Sequence, residues 1–316
     1  MTSVPQHEGT AHVHLEDRLP HYHRAPAKMN IAFAVGITLN ITIVVFQTVY
    51  GLVAHSTALL ADAGHNLGDA LSLIVAWGAT ALATMPPTAR FTYGLRSTTI
   101  VAALFNSLFL LVVMGAIAWE AIRRLSEPVA VQGFSVMVVA AIAIVINAIG
   151  AWLFAANRHS DLNARGAFMH LLTDAMVSFA VMCAGGLIAM TGWLWLDPVV
   201  TLIVVGVIVL GTWELLKGSL QMTLAAVPDG IDPGEVRKFL CEQPGVTHVH
   251  DLHIWPLSTT QTALTCHLVM PVGHPGDEFT ARIADSLHRQ FNIEHATVQI
   301  ELSEEPGCRL SRDDVI

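Results

Sequence analysis

Charge is scarce in this sequence of 316 residues: Asp, Glu, Lys and Arg make up 13% of it, where an ordinary soluble domain carries about 25%. A water-soluble globule of this length could not cover its surface with so few charges. Positive charge is scarcer still. Sixteen Lys and Arg against 25 Asp and Glu leave a net charge of −9, and no basic stripe runs along the chain, which argues against a nucleic-acid partner. Cysteine is sparse and scattered. Cys183, Cys241, Cys266 and Cys308 have no Cys-x-x-Cys spacing, so neither a disulfide framework nor a thiolate zinc cluster is indicated. The polar N-terminus also lacks a basic-then-apolar leader with a small-residue cleavage site, so insertion through the spans themselves is expected. What the chain does have is apolar sequence, 53% of its residues, with a mean hydropathy of +0.56.

That apolar content is concentrated. A bilayer core of about 30 Å needs roughly 20 apolar residues per helix, and six such stretches fall at 30–54, 57–84, 98–120, 133–156, 166–190 and 196–217. Lys and Arg resist translocation. With the N-terminus inside, the cytoplasmic side holds Arg18, Arg24, Lys28, Arg90, Arg96, Arg158, Arg165 and Lys217, against Arg123 and Arg124 outside. Both termini are therefore expected in the cytoplasm. Residues 1–28 form a polar arm with His7, His12, His14, His21 and His23, expected to be disordered, and 29–217 form the six-helix transmembrane domain. From Gly218 the chain becomes charged and turn-rich. Asp232-Pro233 opens a helix, 246–256 and 262–270 alternate as strands, 280–292 returns to helical spacing, and 296–302 is a third strand. The order αββαβ over 218–303 suits a small α+β domain with helices on one face of a three-stranded sheet, followed by a tail at 304–316.

An ionisable side chain inside a bilayer is costly unless it has a partner or a wet cavity, so each one is a functional candidate. The second span contains His65-x-x-x-Asp69 and the fifth contains His170-x-x-x-Asp174. Positions i and i+4 share a helix face one turn apart, so each helix offers one imidazole and one carboxylate in the same direction. Two such helices facing each other supply two nitrogens and two oxygens, the four-ligand set that zinc favours over magnesium or calcium. Chance predicts about 0.7 His-x-x-x-Asp pairs in a chain of this composition. There are two, both in spans and with no third elsewhere. The structural alternative is a set of polar residues bridging helices. Asp62 falls three residues before His65 on the same face, placed for helix packing or to accept an imidazole N–H behind the ligands. Gly64, Gly68 and Gly78 on the second span, with Gly166, Gly185 and Gly186 on the fifth, would let helices approach closely. Asn40, Gln47, Asn106 and Asn147 are suited to interhelical hydrogen bonds.

The paired motifs, Phe91-Thr92-Tyr93-Gly94-Leu95-Arg96 before the third span, Val249-His250-Asp251-Leu252-His253-Ile254-Trp255 and His295-Ala296-Thr297-Val298-Gln299-Ile300-Glu301 resemble the cation diffusion facilitators, a family of zinc-exporting antiporters. The resemblance covers roughly residues 28 to 303. It implies that His65, Asp69, His170 and Asp174 bind a transported divalent ion, that the protein is a homodimer, and that proton uptake drives export. Zinc and cadmium members carry this His/Asp pairing, whereas manganese and iron members carry Asp where His65 and His170 stand. Metal and proton compete for the same lone pairs, and histidine, with an unperturbed pKa of about 6.5, is suited to carry the proton.

By the same resemblance the tail has a metallochaperone-like fold and binds further zinc, with His250, His267 and Glu301 at the matching positions. Polar sheet residues are the alternative for His250 and His267, and His248, His253 and His274 are weaker candidates. Alternation puts Thr297, Gln299 and Glu301 on one strand face. Gln299 stands where some bacterial relatives carry a metal-binding His, which counts against a two-metal tail. The loop at 85–96 has no His and 158–165 has only His159, so no dedicated loop site is expected between the second and third spans, while His12-x-His14 and His21-x-His23 are compatible with transient metal capture. A zinc protease is disfavoured because no His-Glu-x-x-His occurs, and a di-iron oxidase because the one His-x-x-His, at His250 and His253, lies in a strand. The chain reads as a transporter with no cofactor, zinc being cargo and a ligand of the tail. Its expected partners are divalent ions, protons, lipid and a second copy. Short loops fit a bacterial cytoplasmic membrane. A membrane metal sensor is the remaining alternative.

Overall fold

The structure is a computed structural model that describes residues 31–155 and 162–303. The His-rich arm, His159, the basic residues Arg18, Arg24, Lys28 and Arg158, Cys308 and the segment 304–316 lie outside the described residues.

Six apolar helices come first: α1 (Ile31–Val53), α2 (Thr57–Ala83), α3 (Thr98–Ser126), α4 (Gly133–Ala155), α5 (Leu162–Thr191) and α6 (Leu196–Thr223). Among the described residues, five of them are long and apolar enough to cross a membrane, and α1 contributes a shorter apolar stretch, Asn40–Val53. Over its 23 residues α1 is about 34 Å long at 1.5 Å per residue, so the sixth expected span is present as a helix. In lipid each helix satisfies its own backbone hydrogen bonds, and this makes continuous helices the economical solution for these runs. Two helices outlast their expected ends. In the last turns of α3, Glu120 pairs with Arg124 at 2.9 Å across one turn, and Arg124 Nη1 donates to the His55 carbonyl. Gly218 does not stop α6, since an interior glycine costs only about 1 kcal/mol, and the chain first breaks at Ala225, whose φ is 58°.

α4 packs along α5, α3 along α6, and α2 lies against α1, α3 and α6. Close approach by glycine is real at some expected positions. A Cβ on Gly64 would lie 2.9 Å from Met114 Cε, on Gly68 2.9 Å from Leu110 Cδ1, and on Gly185 2.7 Å from the Met137 backbone nitrogen. Gly78 has open space around it, and Gly186 meets only Met137 Sδ at 3.5 Å, so these two are not contact glycines.

The tail follows the expected order: α7 (Pro233–Cys241), β1 (His248–Pro256), β2 (Thr262–Val269), α8 (Asp277–Phe291) and β3 (His295–Glu301). Asp232 caps α7, its Oδ1 accepting from Gly234 N at 2.8 Å. The sheet runs β1-β2-β3, antiparallel between β1 and β2 and parallel between β2 and β3. Leu264, Cys266 and Leu268 face a core with Val236 and Leu240 of α7 and Phe279, Ile283 and Leu287 of α8, so both helices cover one face. The alternate residues of β2, Thr265 and His267, look the other way, opposite Thr297 and Gln299.

The tail is seated on the start of α3. Arg96 Nη1 donates to Gln261 Oε1 at 3.0 Å, Ser97 Oγ to the Leu257 carbonyl at 3.2 Å, and Thr259 N to Thr99 Oγ1 at 3.1 Å. The Tyr93 ring meets His295 edge-on at 5.5 Å.

Candidate metal centres

α2 and α5 bring the two His/Asp pairs together. His65 Nε2 lies 3.6 Å from Asp69 Oδ2 on its own helix and 3.2 Å from Asp174 Oδ1 on the other. His170 Nε2 lies 3.4 Å from Asp69 Oδ2 and 3.5 Å from Asp174 Oδ2. Zinc–nitrogen and zinc–oxygen bonds of about 2.0–2.1 Å make the edge of a tetrahedron about 3.3–3.4 Å, close to these imidazole–carboxylate separations, although the two imidazoles meet different oxygens of Asp174. His65, Asp69 and Asp174 are the tightest part, with donor atoms all within 4.8 Å of one another. His170 stands at the rim and joins through the two carboxylates. Asp69 Oδ2 and His65 Nδ1 are buried without a hydrogen-bond partner, so the Asp69 oxygen keeps its lone pairs for a cation.

Asp62 does something narrower than the sequence allows. It is fully buried, its Oδ2 accepts from Gln47 Nε2 of α1 at 2.5 Å and from Ser178 Oγ of α5 at 2.8 Å, and Asn66 Nδ2 donates to Gln47 Oε1 at 2.9 Å. Because His65 Nδ1 has no hydrogen-bond partner, Asp62 does not accept an imidazole N–H from it. It ties three helices together one turn from the cage. Of the span amides, Gln47 makes the interhelical bonds expected of it, while Asn40 Oδ1 and Asn147 Nδ2 are buried without partners.

The second centre lies on the open face of the tail sheet. His250 and His267 are cross-strand neighbours, with ring centroids 5.1 Å apart. His250 Nε2 lies 3.4 Å from Glu301 Oε2, and His267 Nδ1 lies 3.0 Å from Glu301 Oε1. The donor atoms of all three residues fall within 4.8 Å of one another. His250 is buried with neither ring nitrogen hydrogen-bonded, an arrangement that costs free energy unless something fills the gap. A two-nitrogen, one-carboxylate set fits zinc with one position left open. Gln299 does not point to a metal: its Nε2 donates to Glu301 Oε1 at 3.0 Å. His274 Nδ1 accepts from Gly276 N at 3.1 Å, a local turn contact.

Comparison with known proteins settles the family. Residues 33–223 match the family described as cation efflux transmembrane domain, and residues 228–303 match the one described as cation efflux protein, cytoplasmic domain. The chain belongs to the cation efflux family. Among similar proteins, the metal cation efflux system protein CzcD of Cupriavidus metallidurans is 34% identical over 90% of this chain and 90% of its own length. The zinc transporter ZitB of Escherichia coli is 32% identical over 95% of this chain and 96% of its own. A cadmium, cobalt and zinc/H(+)-K(+) antiporter of Bacillus velezensis is 31% identical over 81% and 83%. Cation efflux proteins are multi-pass membrane transporters, so the chain is not an enzyme.

Two features of this cation efflux protein escape sequence reasoning. Asp197, at the start of α6 and buried, accepts from Ser56 Oγ, from Thr57 N and Thr57 Oγ1 at 2.7 Å each, and from Ala58 N at 3.4 Å. It thus closes the N-terminus of α2, the helix that carries His65 and Asp69. Its only sequence signal is an acidic residue in the first turn of α6. The other is Asp251, whose φ is 49° and whose carboxylate reaches His253 Nε2 at 2.9 Å and His267 Nε2 at 3.4 Å. Burial, and then the Asp251 charge, push the nearby Cys266 thiol up to about 12, and its side chain packs in the helix-covered core.

Proposed function

We propose that this protein exports divalent transition-metal ions from the cytoplasm, zinc foremost with cadmium or cobalt as further cargo, in exchange for protons and by alternating access. The cage of His65, Asp69, His170 and Asp174 carries the reading: two imidazoles and two carboxylates from two separate spans, each imidazole 3.2–3.6 Å from both carboxylates. A bilayer tolerates such groups only where they pair or meet water. The names of the relatives, metal cation efflux, zinc transport and antiport with protons and potassium, support the same cargo and coupling.

Cargo and protons use the same atoms. A bound divalent ion displaces protons from the imidazoles and keeps the carboxylates ionised; protonation of the same lone pairs expels the ion. His65 and His170 are the proton carriers in this reading. A conformation open to each side in turn, with the ligand set retained, then couples the two fluxes without a covalent step.

The reading places both termini and the tail in the cytoplasm, in a bacterial inner membrane. On that orientation Asp69 and His170 are the cytoplasmic ligands, and their side chains are 19% and 46% exposed, against 16% for His65 and 2% for Asp174. The contrast on α5 supports a state open to the cytoplasm and sealed outward, with the Asp62, Gln47 and Ser178 network as part of the outer seal. The protein works as a homodimer in lipid, with residues 29–217 as the transport unit and 218–303 as a cytoplasmic unit whose His250, His267 and Glu301 take a regulatory zinc. Asp62 acts by packing and not as a ligand.

The deciding experiment is zinc flux in sealed vesicles under an imposed pH gradient. Zinc moves against the proton gradient in the wild type, and His170→Ala abolishes flux while the purified variant remains a folded dimer. A protein that binds zinc but carries none across the membrane under any gradient is a sensor, and the transport reading fails.

A further inference from the structure

The tail triad has a neighbour that neither the family comparison nor the spacing of its ligands singles out. Along β1, His250 is paired with His267 and His253 with Thr265. Three steps on β1 therefore match two on β2, which means β1 carries one extra residue, a bulge. Simple alternation would send His250 and Asp251 to opposite faces. The bulge instead brings His250, Asp251 and His253 to the face that His267 occupies. Asp251 sits at its left-handed position, φ 49°, where a residue other than glycine is tolerated best when it is Asn or Asp.

The result is an imidazole held from both sides. His267 Nδ1 faces Glu301 Oε1 at 3.0 Å, toward His250, and His267 Nε2 faces Asp251 Oδ2 at 3.4 Å. The other oxygen of Asp251, Oδ1, is taken by His253 Nε2 at 2.9 Å. A metal-ligating histidine commonly donates its second ring N–H to a carboxylate, which fixes the tautomer, orients the ring and strengthens the ligand. Here one ring nitrogen of His267 belongs to the triad and the other meets a carboxylate that makes no part of it.

We propose that Asp251 is the positioning residue of the tail metal site, holding His267 with its Nε2–H directed to the Asp251 carboxylate so that Nδ1 is turned toward Glu301 and His250, where the ion would sit. The proposal rests on the tail being a metal site. In that tautomer the ring proton is on Nε2, the Asp251 carboxylate accepts a hydrogen bond from it, and the Nδ1 lone pair would hold the ion. The left-handed backbone at Asp251 is what delivers the carboxylate, so the fold holds a constrained residue there in the service of the ligand.

The test uses the full-length protein in detergent carrying His65→Ala and His170→Ala, so that zinc titrated against a chromophoric chelator reports on the tail. His250→Ala in that background tests the tail site, and the zinc bound by the parent is lost. Asp251→Asn keeps the shape and the left-handed preference but loses the charge. Asp251→Gly keeps the backbone conformation and removes the side chain. Both retain the zinc stoichiometry and weaken affinity by about 10–100-fold, while metal-free thermal unfolding of Asp251→Gly occurs at or above the parent temperature because glycine is unstrained at that φ. If Asp251 merely shapes the bulge, glycine restores parental affinity; Asp251→Gly binding zinc within tenfold of the parent overturns the proposal. Should either variant fail to fold, the other decides by the same threshold. If His250→Ala leaves zinc binding intact, the tail reading itself has failed and the proposal goes with it, a result distinct from failure at Asp251 alone.

Discussion

Asp197 Oδ2 accepts hydrogen bonds from both the backbone N–H and the hydroxyl of Thr57, each at 2.7 Å, so a carboxylate of α6 caps the helix that carries half the proposed metal cage. A helix N-terminus has unsatisfied donors and a partial positive charge, and in a membrane water is not available to meet them. Ser56 supplies a cap of its own, its Oγ accepting from Leu59 N at 3.1 Å, and also donates to Asp197. Removing the carboxylate strands several donors at once.

Asp197→Ala is therefore expected to destabilise the protein by about 1–3 kcal/mol for the buried groups left without partners, read as a lower melting temperature of the purified protein and reduced zinc flux. Asp197→Asn keeps one acceptor oxygen and loses less. Equal stability of wild type and Asp197→Ala would show that α2 is held by other contacts.

Gly185 and Gly186 are adjacent but not equivalent. A Cβ on Gly185 would stand 2.7 Å from Met137 N and 2.8 Å from the Gly133 carbonyl oxygen, both backbone atoms of α4, whereas on Gly186 the nearest atom is Met137 Sδ at 3.5 Å. Gly185→Ala must push α4 and α5 apart, at a cost of about 1–3 kcal/mol for overpacking, and it displaces the helix that carries His170 and Asp174. Gly186→Ala is close to neutral. Parallel melting curves of the two variants check the contrast, and matching curves would remove glycine as the reason for the close approach.

These two cases mark where sequence reasoning stops. The six spans and the αββαβ order are legible because each element is encoded locally, by an apolar run, by alternation or by a cap such as Asp232. The two His/Asp pairs of the proposed cage are legible because His65 and Asp69, like His170 and Asp174, are one turn apart on a single helix; only the facing of α2 and α5 had to be supplied by the fold. Asp197 is different, since its partners are about 140 residues away and an acidic residue in a first turn has no direction attached. Asp251 is hidden for another reason: the bulge changes the parity of β1, and strict alternation then assigns the wrong face to one side of it. One amide atom each of Asn40 and Asn147 is left without a hydrogen-bond partner, which composition cannot foretell.

Cys266 provides a pH test of the tail core. It is buried on the helix-covered face of β2, and burial together with the nearby Asp251 charge pushes its thiol from 9.0 up to about 12. The folded state therefore keeps the proton that the unfolded state loses near pH 9. Its contribution to stability is intact below that pH and declines as pH rises toward 12. At pH 8 a thiol-reactive maleimide labels exposed Cys241 and leaves Cys266 unmodified until denaturant is added, as peptide mapping would show. Labelling of Cys266 in the folded protein would mean that the sheet core opens.

Selectivity can be moved by one ligand. His65 Nε2 lies 3.2 Å from Asp174, against 3.5 Å for His170 Nε2, and is in the tightest part of the proposed cage. His65→Asp replaces a borderline nitrogen with a hard, charged oxygen, leaving one imidazole among three carboxylates, a set that suits manganese better than the original does. In zinc uptake into everted vesicles, manganese is expected to compete at least about tenfold more effectively against the variant than against wild type, a differential binding of about 1.4 kcal/mol. Zinc itself is still carried, because His170 and both original carboxylates remain. The same change at His253, half-buried on the tail, leaves the cargo preference where it was. Identical manganese competition in wild type and His65→Asp would place His65 outside the ion's coordination shell and leave the cage without one of its two nitrogens.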